Sequence, residues 1–298
     1  MDGVIIVDKP KEYTSHDVVG VLRKVLNTKK VGHTGTLDPN ATGVLPILVG
    51  QATKISKYLI EHDKIYIATL KLGEKTDTGD GEGNVIEKKD VGTINCTQIE
   101  QILQSFVGKQ KQMPPIYSAI KVDGKKLYEY AREGKKVDIK PREIEIYNIK
   151  LIKTIYEQNI NEIIFEVSCS KGTYIRVLCE NIAEKLETVG YMKELRRISV
   201  GTESDDKNTL FKIEDAIKLE DIKQTPELAK RKAITIEAIF AKNKQIELNK
   251  TKLGLLLNGV KLTLELEDGI YRIYNEEAFI GLGVIKNKLL KRDIIICT

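Results

Sequence analysis

No run of the 298 residues approaches the ~18 consecutive apolar side chains that a membrane-crossing helix requires. The opening Met1-Asp2-Gly3-Val4 has no basic region ahead of a long apolar stretch, so no secretory signal is expected. Cysteine is scarce, and Cys96, Cys169, Cys179 and Cys297 form no C-x-x-C pair. None of them has a histidine nearby at ligand spacing, so neither a zinc site nor a disulfide framework is expected, and a reducing cytoplasm is the natural setting. Also missing is a G-x-x-x-x-G-K-[ST] phosphate loop, which argues against a nucleotide hydrolase.

What is present is an ordinary globular composition, 41% hydrophobic and 31% charged, long enough for one large domain or two unequal ones. The net charge of +5 is unevenly spread. Residues 107–153 hold 12 Lys and Arg against 6 Asp and Glu, residues 201–224 hold 4 against 7, and residues 226–298 hold 13 against 9. A charged face is most often a solvated face, and for the tail that reading is preferred. The central stretch differs because Tyr117, Tyr128 and Tyr130 interleave with Lys121, Lys125, Lys126, Arg132, Lys135 and Lys136. Cations neutralise phosphates while rings stack on bases, a combination suited to RNA.

Periodicity supplies a coarse layout. Residues 3–7 read as a short buried strand. Thr14 or Ser15 opens a helix with Val18, Val21, Leu22, Val25 and Leu26 on one face. A Gly/Thr/Pro-rich loop over 32–43 precedes an apolar run at 44–49, and 64–72 reads as a strand. The capping-box pattern Thr97-Gln98-Ile99-Glu100 opens a helix presenting Ile99, Ile102, Leu103 and Phe106. Asp123-Gly124 marks a turn after 116–122. Strands at 142–152, 162–169 and 191–200, a helix at 174–186 and a short acidic helix at 213–222 follow. A composition shift at Thr225-Pro226 divides 1–225 from 226–298, where short apolar strands alternate with turn residues. The class is α+β: a mixed β-sheet domain with flanking helices and a basic insertion at about 107–153, plus a small β-rich C-terminal domain.

The least generic stretch is Gly32-His33-Thr34-Gly35-Thr36-Leu37-Asp38-Pro39. Its turn chemistry would hold His33 and Asp38 in a rigid, partly exposed loop of the kind that carries catalytic groups. An equally weighted alternative is that Asp38-Pro39 merely starts a turn, with Thr36 and Asp38 bonding local amides.

The segment GHTGTLDPNATGVLP, preceded by VDKP at Val7 to Pro10, resembles the signature of the bacterial tRNA pseudouridine-55 synthases, the TruB family. Further matches follow in order: KIY from Lys64, KTDTGD from Lys75, PPIYSAIKVDGKKLYEYAREG from Pro114, CSKGTYIR from Cys169 and LRR from Leu195. The likeness covers about the first two-thirds of the chain. The tail is similar to the family's small PUA-type RNA-binding domain only through FIGLG from Phe279. Asn40 departs from the pattern, which favours an apolar residue there.

The resemblance implies an isomerase that turns one T-loop uridine of tRNA, position 55, into pseudouridine without cofactor or metal. It is expected to act as a cytoplasmic monomer with no obligate protein partner. Asp38 matches the catalytic aspartate and Arg176 the arginine that pairs with it; a guanidinium keeps a desolvated carboxylate charged. Tyr66 matches the active-site tyrosine, whose ring could stack on the uracil and whose hydroxyl could exchange a proton. Without the resemblance, Arg176 reads as a surface cation and Tyr66 as half-buried packing. Tyr174 and Leu195 match uracil-pocket positions, His33 a residue that places the T-loop, and Lys9 and Pro10 supports of the pocket. The resemblance also implies that Lys121, Lys125, Lys126 and Arg132 grip the T-arm. Three alternatives stay open: a non-catalytic RNA binder, an enzyme of free nucleosides, and a guide-RNA-dependent relative.

Overall fold

The sheet that organises the chain begins with GVIIVDK, the Gly3–Lys9 strand, buried along nearly its whole length. In the computed structural model, which describes residues 1–60, 62–135, 137–157, 160–201 and 210–296, it joins a ten-stranded mixed sheet. The order across the main path is Ile217–Lys218, Gly3–Lys9, Thr42–Val49, Gly190–Val200, Lys64–Leu72, Ile160–Cys169, Arg142–Glu157 and Gly108–Gln112. Val31–His33 pairs with Thr42–Val49, and Phe211–Lys212 with Gly190–Val200. Lys136, Cys297 and the acidic stretch 202–209 lie outside the described residues.

Two helices close the faces of this sheet. Thr14 caps the Ser15–Val25 helix in a complete capping box with Asp17. Its Val18, Val19 and Leu22 are buried against Ile5, Val7 and Leu45, each contributing about 1.5–3 kcal/mol. On the other face, Ile175, Leu178, Cys179, Ile182 and Ala183 of the Ile175–Lys185 helix pack with Ala68, Leu70, Phe165 and Val167. Cys169 and Cys179 are buried core residues, and burial pushes the Cys169 thiol up to about 12.

Several local expectations are corrected. The helix expected from Thr97 begins at Cys96, and its cap is Asn95, whose Oδ1 accepts from Gln98 N at 2.9 Å. The stretch 213–222 is not one helix: a 3-10 turn and the strand Ile217–Lys218, which pairs with Val7 and Asp8, precede the Leu219–Gln224 helix. Both ends of the basic stretch are strands of the large sheet, so only 113–141 departs from it. There, Asp123 and Gly124, both at positive φ, turn Lys121–Val122 back onto Lys125–Lys126, ahead of the short Leu127–Arg132 helix. Leu127 is the one buried residue between 119 and 135, so the segment stands off the core.

The second sheet has five strands, ordered Gln245–Glu247, Gly269–Asn275, Ala278–Lys286, Leu289–Ile295 and Leu262–Thr263. The chain preceding it stays on the large sheet. Ala229 packs with Ile5 and Val7, and Val4 and Ile234 exchange backbone hydrogen bonds at 2.8 Å. Ile236, Ile239, Phe240, Leu282 and Ile294 then share one apolar cluster with Val4, Ile6, Val44 and Leu48, joining the two sheets.

Candidate active site

A line of paired residues crosses the middle of the large sheet. Lys9 pairs with Gly43, Gly43 with Arg197, Arg197 with Tyr66, and Tyr66 with Val167. Residues opposite one another in a ladder share a face. Gly43 is required here: its φ is +103°, and a Cβ would lie 2.1 Å from the Arg197 carbonyl oxygen. The two cations in the line, Lys9 and Arg197, are the largest fully buried charged side chains of the described residues.

The loop carrying Asp38 is fastened over that line. Thr34 N donates to Pro46 O at 3.1 Å, and Arg197 Nη2 donates to Gly35 O at 2.8 Å. Leu37 N donates to Ser15 Oγ at 2.9 Å, and Lys9 Nζ donates to Pro39 O at 2.8 Å. Lys9 also donates to the carbonyls of Pro10 and Tyr13, so the three acceptors face a buried ammonium whose pKa burial lowers to about 8. Fixed at these points, the loop delivers Asp38 with little freedom to move.

Arg176 meets it from the helix across the cavity. Its Nε lies 3.3 Å from the Asp38 carboxylate and its Nη1 3.4 Å from Asp80, while Nη1 and Nη2 also donate to the carbonyls of Thr78 and Tyr117. The Arg176 side chain is 7% exposed and that of Asp38 is 43% exposed through the cavity mouth. Desolvation by the surrounding protein nevertheless raises the Asp38 pKa; Arg176 opposes that rise and Asp80 adds to it. Tyr66, 8% exposed, is raised by burial, with Arg197 pulling against it.

Asp38, Tyr66, Tyr174, Arg176, Leu195 and Arg197 line one cavity of about 580 Å3, within the ~300–1,000 Å3 range of small-molecule sites. The structure therefore brings five of the residues named from sequence to one place. Lys9 and Pro10 instead border a separate cavity of about 330 Å3, and of the two it is Lys9 that reaches the loop, through Pro39 O. His33 stands beside the loop, its Nδ1 buried without a partner among the described residues, and burial lowers its pKa. The basic group is apart from the cavity: Lys125 pairs with Glu133, Lys126 lies over Tyr128 at 5.4 Å, and Arg132 covers the same ring at 5.5 Å. Lys121 is exposed. The sequence suggests no site role for Arg197, Asp80 or Ser15, although Arg197 and Asp80 fall within the LRR and KTDTGD stretches and Ser15 is a candidate helix cap.

A family model described as the TruB family pseudouridylate synthase N-terminal domain matches residues 23–175, and one described as the tRNA pseudouridylate synthase B C-terminal domain matches 176–235. The chain belongs to the TruB family. It is 42% identical over 294 residues to a tRNA pseudouridine synthase B of Caldanaerobacter subterraneus, covering 98% of each chain. To the Clostridium tetani protein of the same name it is 44% identical over 290 residues, covering 95% of each. Among solved structures, a Cbf5-Nop10-Gar1 complex matches with a TM-score of 0.66 and 25% identity over 95% of this chain and 78% of that one. A structure of an H/ACA RNP bound to a substrate RNA containing 2′-deoxyuridine shares the fold, with a TM-score of 0.67 and 23% identity over 99% of this chain and 85% of that one. The activity of the TruB family is pseudouridine formation in tRNA, and the mixed sheet with its curled C-terminal sheet is the fold of these neighbours.

Proposed function

We propose that this TruB-family chain converts uridine 55 in the T-loop of tRNA to pseudouridine. One observation carries the reading: the Asp38 carboxylate, fixed by its loop and met by Arg176 at 3.3 Å, stands in a cavity walled by Tyr66, Tyr174 and Leu195. The reaction breaks N1–C1′, turns the base and joins C5 to C1′, with C5 releasing a proton and N1 taking one up, so no atom is gained or lost overall. It needs an ionised carboxylate beside the nucleoside, a wall for the ring and a group that exchanges a proton. Asp38 supplies the first, with Arg176 holding its charge against desolvation. Tyr174, Leu195 and the Tyr66 ring supply the second, and the Tyr66 hydroxyl the third.

A stacked base must be extruded to enter this cavity, at a cost of a few kcal/mol. Phosphate contacts from Lys121, Lys125, Lys126 and Arg132 on the standing-off segment offset it. Supporting this reading, Lys125 lies over the Tyr130 ring and Lys126 and Arg132 over the Tyr128 ring, which gathers three of these cations on one short segment. We read the five-stranded sheet as a small PUA-like RNA-binding domain. With two RNA-gripping parts on one chain, we take it to act alone, as a monomer, in the cytoplasm.

The experiment is to treat an unmodified tRNA transcript and an isolated T-arm hairpin with the protein and map pseudouridine by chemical labelling. Modification confined to uridine 55 in both supports the reading. Modification elsewhere, or none in the hairpin, overturns the T-arm assignment.

A further inference from the structure

One wall of the cavity is the turn from Ser170 to Tyr174 with the start of the Ile175–Lys185 helix, which together bring in the Tyr174 ring and Arg176. The local sequence cannot hold that helix start by itself. Tyr174 occupies the cap position, and its side chain accepts from no first-turn N–H. Val177, three residues on, is apolar and cannot reach back to the Tyr174 N–H as the Glu or Gln of a capping box does. The partner comes from a distant strand instead. Gln112, the last residue of Gly108–Gln112 and 6% exposed, accepts the Tyr174 N–H on Oε1 at 2.8 Å and donates from Nε2 to Tyr174 O at 3.1 Å. The other end of the turn is also tied down: Ser170 N donates to Glu145 O and Glu145 N to Ser170 Oγ, both at 2.8 Å.

We propose that Gln112 is a positioning residue which seats Tyr174 against the base and, through the helix start, holds Arg176 against Asp38. A primary amide suits the task, because its adjacent acceptor and donor match the N–H and C=O of one residue as a neighbouring strand would. Burial makes the match exacting, since an amide turned away from Tyr174 would strand polar groups of both residues away from water. Gln112 does not line the cavity, so it acts through Tyr174 and Arg176 alone. It also stands where the chain leaves the sheet for the segment 113–141, and five residues later Tyr117 O accepts from Arg176 Nη2 at 2.9 Å. Arg176 is therefore braced from both ends of one short stretch: its backbone through Tyr174 and Gln112, its guanidinium through Tyr117.

This inference rests on the activity proposed above, but two of its readouts do not require turnover. In the unsubstituted protein the Tyr174 amide proton should be protected from exchange; exchange at the solvent rate overturns the proposal. Gln112→Met keeps the volume and removes both bonds. The Arg176 Nε–H resonance, followed by 15N NMR through a pH titration, reports protonation of Asp38. Its midpoint should lie about half to one pH unit higher in the variant, because a displaced Arg176 favours the carboxylate less; Lys9 and Asp80, which also act on Asp38, are left in place. An unchanged midpoint overturns the proposal. On tRNA, Gln112→Met should lower kcat about 10²-fold with affinity within about twofold, whereas affinity lost in step with turnover would overturn it by placing Gln112 in the grip on RNA. Gln112→Glu serves if the methionine variant does not fold. Its carboxylate still accepts the Tyr174 N–H but offers Tyr174 O no proton until it is itself protonated, so its rate relative to the unsubstituted protein should rise as pH falls. A ratio that is flat with pH refutes the paired bonds. If the unsubstituted protein does not turn over tRNA, the proposed activity falls, and the two NMR readouts still decide this inference.

Discussion

Gly43→Ala changes one hydrogen into a methyl group at a position outside the cavity lining, yet the structure predicts a severe effect. The added Cβ would sit 2.1 Å from the Arg197 carbonyl oxygen and 2.9 Å from its nitrogen and carbonyl carbon. Restoring an ordinary contact requires the two parallel strands to part by about 1 Å there. At φ +103° an alanine also costs about 1–3 kcal/mol. Parting the strands stretches the bonds from Arg197 to Val44 O and Gly35 O, charge-assisted bonds worth about 1.5–3 kcal/mol each, of which part is lost. The sum is roughly 3–5 kcal/mol, and at about 2–4 °C per kcal/mol the melting temperature should fall by about 10 °C. Turnover on tRNA should fall further than affinity, since the loop bearing Asp38 loses its strut. Scanning calorimetry and single-turnover kinetics at a temperature where both proteins are folded read the two effects. A variant melting within about 2 °C of wild type with unchanged turnover would refute the row of contacts from Lys9 to Tyr66.

Asp80→Asn removes the carboxylate that raises the Asp38 pKa through their shared Arg176, so the acid limb of the kcat/KM profile should move to lower pH; movement to higher pH would contradict the shared ion pair. Lys125→Ala with Lys126→Ala should weaken tRNA binding and flatten the slope of log Kd against log salt, whereas an unaltered slope would remove this hairpin from the phosphate contacts. His33 has its pKa lowered in the fold from 6.5, so below about pH 6.5 the unfolded chain takes up the proton more readily and stability declines with acid. His33→Gln should flatten that decline, by at most about 1.4 kcal/mol per pH unit, as read by urea unfolding across pH 5–7.

Much of the layout is legible from side-chain pattern alone. The 64–72 strand and the helix opened by Thr14 follow from alternation and capping, local rules that the sheet reinforces. The same local rules misplace the cap at Thr97, because Asn95 two residues earlier accepts the Gln98 N–H more directly. They also merge 213–222 into one helix, because the pairing of Ile217 with Val7 is set by a strand more than 200 residues away in sequence. At the site, Asp38 is visible because motif and chemistry coincide, whereas Arg176 is visible through the family motif alone. Arg197 is not, since an arginine in LRR reads as a solvated cation until the register places it opposite both Gly43 and Tyr66. Lys9 hides for the same reason: its three carbonyl partners belong to turns whose meeting no spacing reveals.

The most direct test of the chemistry assigned to Asp38 is tritium release from a tRNA transcript labelled at uridine C5, comparing wild type with Asp38→Asn. C5 loses its hydrogen only if the new C–C bond forms there. Release by wild type and none by Asp38→Asn, with both proteins still binding tRNA, is the predicted result. Release by Asp38→Asn at the wild-type rate would remove Asp38 from the reaction, and no release by a wild-type protein that binds tRNA would contradict the isomerase itself.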